Sequence, residues 1–101
     1  MPKVREIKDY HYILFWCPGC EEHHGIPIHM DYYEKNTITQ DTKPVWQYNE
    51  NPDCPTVNPS LVIMGGGKIE CHLFIENGKI RYLTDCTHKL AGQTVDMEEI
   101  E

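Results

Sequence analysis

A Cys17-Pro18-Gly19-Cys20 turn, answered far downstream by Cys71-His72 and by Asp85-Cys86-Thr87-His88, constrains this chain more than any other feature. Two thiols separated by two residues on a Pro-Gly turn make half of a zinc clamp. Both sulfurs can face one hollow, and the turn leaves amides free to donate to the thiolates. The other half must come from a distant strand or turn, which ties a short chain together.

With 101 residues the chain has room for one domain. A core this small gains much from a staple, and structural zinc can add roughly 10–16 kcal/mol of apparent binding energy to folding. The expectation is a single zinc-stabilised β domain over 1–101, with an ordered core at 10–95 and an exposed acidic tail at 96–101. Sixteen acidic against nine basic residues give a net charge of −7. That balance disfavours a phosphate backbone as ligand and leaves a protein partner open. No apolar run approaches the roughly 20 residues that span a bilayer. The N-terminus lacks the apolar core of a signal peptide, so a cytoplasmic location is expected. Thiols stay reduced there, and an odd count of five cysteines also argues against a full disulfide framework.

Tyr10 to Trp16 is aromatic and β-branched, so it reads as a strand that enters the CxxC turn. Gly25 to Met30 reads as a second strand, with Pro27 marking an edge. The span 33–43 is polar and reads as loop, and Val45 to Tyr48 is a third strand candidate. Pro52, Pro55 and Pro59 argue against a central strand in their stretch. Leu61 to Met64 is a strand ended by Gly65-Gly66-Gly67. Ile69 to Glu76 and Lys79 to Thr84 flank Asn77-Gly78, the strongest short hairpin signal, because both turn residues tolerate positive φ. The fold class is therefore all-β or β-rich: small antiparallel sheets with a zinc-ribbon-like site of four cysteines, or of three cysteines and one histidine.

A two-residue turn at Asn77-Gly78 sets the register. Glu76 then faces Lys79, Ile75 faces Ile80, Leu73 faces Tyr82 and Cys71 faces Thr84. Alternation puts Cys71, Leu73, Ile75, Ile80, Tyr82 and Cys86 on one face. His72, Phe74, Arg81, Leu83 and Asp85 share the other. On this count the Zn2+ ligands are Cys17, Cys20, Cys71 and Cys86, with His88 as the alternative fourth ligand. Cys54, among prolines, reads as incidental. A redox role for the CxxC pair would need a motif that opens a helix, and here another strand follows quickly.

His24, His72, Asp85 and His88 remain as candidates for an open metal site or an acid–base cluster, the basis of a small metal-dependent hydrolase. The chain has no Gly-x-Ser-x-Gly elbow, no His-Glu-x-x-His pair and no deaminase His-x-Glu partner.

The order of motifs resembles a family of small uncharacterised phage and prophage proteins. The likeness runs over roughly 12–97. It is carried by CPGC with His24, the Trp46 to Asn49 segment, Pro55 to Leu61, the Cys71 to Ile80 block and the Asp85 to Val95 block. Some members carry an ammonia monooxygenase label, but nothing in this chain resembles a membrane copper enzyme. The resemblance implies a phage-borne protein of the bacterial cytoplasm with a Cys/His metal site, and brings no established reaction. The acidic balance, the short chain and the absence of a complete catalytic motif add the expectation of a non-enzymatic zinc-binding accessory protein of a phage or prophage. It would act through contact with a protein, such as a host protein, and modulate a host process such as defence.

Overall fold

The computed structural model describes residues 2–35 and 44–100. Eight strands form two antiparallel sheets. The first has the order β1 (Val4–Ile7), β2 (Tyr12–Cys17), β3 (Glu22–Pro27). The second has the order β4 (Gln47–Tyr48), β5 (Val57–Gly65), β6 (Lys68–Glu76), β7 (Lys79–Tyr82), β8 (Thr94–Asp96). Alternation along β2 buries Ile13, Phe15 and Cys17, and alternation along β6 buries Cys71, Leu73 and Ile75. These two inner faces meet in one core with Val4, Ile26, Leu61, Ile80, Tyr82 and Met97. No helix among the described residues is long and apolar enough to cross a membrane.

The Asn77-Gly78 hairpin has the expected register. Leu73 pairs with Tyr82, Ile75 with Ile80 and Glu76 with Lys79. Asn77 and Gly78 both have positive φ (49° and 75°), the backbone that matches strand twist. Pro27 closes β3 on a sheet edge, where its missing N–H deprives no neighbour.

Four features differ from the sequence expectation. β1 lies in a segment that reads as nothing in particular. Helix α1 (Asp31–Lys35) opens the span 33–43, and the remainder of that span, 36–43, lies outside the described residues. Pro59 sits inside β5, which is central in its sheet. The strand accommodates it because the β5–β6 register shifts between Val57 and Leu61, so residues 58–60 bulge out of the ladder. Finally, Val4 and Met97, outside the span expected as core, are both buried, and the Met97 amide donates to the Gly78 carbonyl at 3.0 Å.

Candidate catalytic triad and metal centre

The CPGC turn connects β2 to β3, and its geometry follows from local bonds. The Cys20 amide approaches the Cys17 sulfur at 3.4 Å, and the Glu21 amide donates to the Cys17 carbonyl at 2.7 Å. Cys71 enters from the inner face of β6. His88 arrives on the turn after β7, with its ring edge-on to Tyr82 at 4.6 Å. The ligand atoms of Cys17, Cys20, Cys71 and His88 all lie within 4.8 Å of one another, a set that could hold a metal ion. Gly19 makes this approach possible, because a Cβ there would come within 2.4 Å of the His88 ring. The Tyr82 hydroxyl accepts from the Gly19 amide at 3.2 Å and sits 3.1 Å from the Cys17 sulfur.

The electrostatics of the hollow favour a cation. The Cys71 thiol hydrogen-bonds to Cys17 and holds it down to about 3, against burial and with help from His24 and Tyr82. Cys71 is raised in turn by that same bond and by burial. Cys20 is pushed up to about 12 by burial, then by the charges of Cys17 and Glu22. The protein groups alone thus sustain one thiolate, and a metal would bring out the other two.

Cys86 is not grouped with the other three thiols. A turn closed by the Cys86 amide on the Leu83 carbonyl redirects the chain. The Cys86 sulfur then accepts from the His72 amide and donates to the His72 carbonyl, both at 3.2 Å. Extending the β7 ladder past Leu83 would place Cys86 beside Cys71, and the turn breaks that extension. His88 takes the place in the cluster. Cys54 is exposed and stands apart from it.

On the opposite face of β6, His72 joins two other side chains. Its Nδ1 lies 3.0 Å from Asp85 Oδ2 and its Nε2 lies 3.0 Å from Ser60 Oγ. A carboxylate can only accept, so Nδ1–H donates to Asp85. The lone pair then falls on Nε2, which accepts from the Ser60 hydroxyl. His72 and Asp85 share a face as the hairpin count requires. Ser60 comes from β5, where Val62 lies directly opposite His72 and Ser60 is the diagonal neighbour. The Trp46 indole donates to the Ser60 carbonyl at 3.1 Å and anchors the bulge. Beyond Asp85 a shallow groove of about 520 Å³ is lined by Arg81, Leu83, Thr84, Gly92 and Thr94.

Of the four hydrolase candidates, the structure brings His72 and Asp85 together. His88 belongs with the thiols, and His24 lies beside Cys20 and Glu22 in a second potential ligand group. The reading from sequence missed Ser60, the single serine of the chain. It has no nucleophile-elbow motif around it, and its partners are 12 and 25 residues downstream.

Comparison with curated proteins and with solved structures gave no match. A family match spans residues 2–83, which takes in Ser60, His72 and three of the four clustered ligands. On that match the chain belongs to the family described as bacterial ubiquitination-like system serine protease (BubE).

Proposed function

We propose that this chain is a serine peptidase with Ser60 as nucleophile, His72 as general base and acid, and Asp85 as the orienting carboxylate. The observation that carries the reading is the unbroken chain of contacts from Asp85 through His72 to Ser60, 3.0 Å at each step. A serine hydroxyl is a weak nucleophile unless a base takes its proton, and this imidazole is placed and held in the tautomer to do so. Ser60 Oγ attacks the scissile carbonyl as its proton passes to His72 Nε2. Asp85 stabilises the imidazolium that forms. His72 then returns the proton to the leaving amine, and water, activated by the same nitrogen, releases the acyl group.

The family description supports a protein of a bacterial ubiquitination-like system as substrate. The protein contact expected from the sequence becomes, in this reading, the docking of that substrate. Val62 and Met64, exposed on the same face as His72, give it an apolar surface. The metal-dependent hydrolase has less support, because His24 and His88 group with the cysteines and not with His72. Three thiols and one imidazole are the donor set of structural Zn2+, and we assign zinc to Cys17, Cys20, Cys71 and His88. Its part is to hold β6, and so His72, against the CPGC turn.

A fluorophosphonate probe tests the triad. The wild-type chain should gain one adduct, mapped to Ser60 by peptide mass. Ser60→Ala and His72→Ala should remain unlabelled while keeping the wild-type circular dichroism spectrum, and Ser60→Ala should lose peptidase turnover by about 10³-fold or more. Labelling that persists in Ser60→Ala would sink the proposal.

A further inference from the structure

We propose that Cys20, Glu22 and His24 hold a second divalent metal ion, with the Cys20 thiolate shared between it and the Cys17–Cys20–Cys71–His88 centre. The proposal rests on that first metal centre and is independent of the Ser60 chemistry. Its donors come from consecutive short steps of the chain. Cys20 ends the CPGC turn, and alternation along β3 puts Glu22 and His24 on one face while His23 turns away to pack edge-on against Trp16. Each of the three offers one ligand atom within 4.8 Å of the other two.

The independent sign of a ligand is His24 itself. The residue is 7% exposed and packs edge-on against Phe15 at 5.5 Å. Its Nε2 is shielded from solvent and has no hydrogen-bond partner among the described residues. The ring is close enough to Cys17 to help hold that thiol down, yet Nε2 itself makes no contact that meets hydrogen-bond geometry. Buried imidazole nitrogens are ordinarily bonded, and a buried imidazole with an open nitrogen, grouped with a thiol and a carboxylate, has the chemistry of a metal ligand. The first centre does not absorb it, because that group already supplies the four donors a structural zinc takes.

Charge points the same way. Three thiolates and the Glu22 carboxylate amount to four negative charges in a partly buried hollow. One divalent ion neutralises half of them, and two neutralise all. Sulfur, imidazole and carboxylate donors together suit zinc or a similar borderline ion over magnesium or calcium. With three protein donors the second ion keeps a position open toward the exposed Glu22 side. It is therefore the weaker-held and exchangeable member of the pair.

The test is native mass spectrometry of the full chain titrated with zinc alone, with cadmium NMR on the same protein. Wild type should saturate at two ions, and Glu22→Gln and His24→Ala should each stop at one. Glu22 is exposed, so its variant keeps the fold even where the His24 variant does not. Cadmium-loaded wild type should give two signals coupled to each other through the shared sulfur. Saturation of wild type at one ion would overturn the second site and leave the first intact. So would two ions in both variants, or two uncoupled signals. No bound ion at all would remove both centres together.

Discussion

Cys86, the fourth ligand on the hairpin count, lies outside the grouped donors and makes its contacts with His72. Its sulfur spans the amide and carbonyl of His72 where β6 and β7 part, beside the Leu83 amide that donates to the same carbonyl at 2.9 Å. Asp85, its neighbour in sequence, grips the same histidine from the side chain. The His72 imidazole is thus fixed at backbone and ring by adjacent residues. Cys86→Ala should lose both backbone contacts, cost about 1–3 kcal/mol of stability, and lower kcat by roughly 10- to 100-fold through misplacement of His72. The metal-to-protein ratio should stay at the wild-type value, as elemental analysis would check. A ratio that fell with Cys86 and stayed with His88→Ala would return Cys86 to the ligand set. From sequence the two residues, two apart, could not be separated. The choice depends on a turn at Leu83–Cys86 that no glycine or proline marks.

Strand β6 sends neighbouring residues to two groups of side chains, Cys71 inward to the thiols and His72 outward to Ser60 and Asp85. The hairpin count made this division legible, because the Asn77-Gly78 turn fixes parity without further information. What it could not give is the strand on the other side. A plain count back from the Gly66-Gly67 turn pairs Leu61 with His72 and sends Ser60 to the opposite face. The observed register steps by one at Glu70, so that Val62 meets His72 and Ser60 comes into reach. Thr87 holds that bulge, donating from its amide and its hydroxyl to the Glu70 carbonyl at 3.1 and 3.2 Å. The same short segment then delivers His88 to the thiols. A bulge of one residue therefore sets both sites, and it has no local sequence signature.

Metal binding at this element should be proton-linked with a definite sign. Cys17 is held down to about 3 and is already a thiolate at neutral pH. Cys20, pushed up to about 12, and Cys71, raised further, carry protons that the metal must displace. Loading the centre of three thiols and one imidazole at pH 7 should release about two protons, so affinity should weaken by roughly a hundredfold for each unit that pH falls. Calorimetry in buffers of different ionisation enthalpy reads the proton count directly. Release of fewer than one would mean that the thiols are ionised before the metal arrives.

Across the whole molecule, the two sheets share a core that neither could close alone, and the chain ends help to close it. Val4 of β1 and Met97 just beyond β8 are both within the core cluster. The Ile100 amide donates to the Pro2 carbonyl at 2.7 Å, and the Lys3 ammonium reaches the Gly78 carbonyl at 3.2 Å. The antiparallel, β-rich character was legible from alternation and turns, and the division into two sheets was not. The docking of the ends was not, because one methionine in an acidic run shows no periodicity and reads as tail. Met97 is 3% exposed, so truncating its side chain should leave a cavity in the core. Met97→Ala should cost about 2–5 kcal/mol and lower Tm by at least roughly 10 °C. The Ser60 labelling rate at low temperature should be unchanged, since Met97 is bonded to the Gly78 turn, beyond the end of β6 and six residues along the chain from His72. Thermal denaturation followed by circular dichroism decides it. A Tm within about 2 °C of wild type would mean that the C-terminal segment contributes no core.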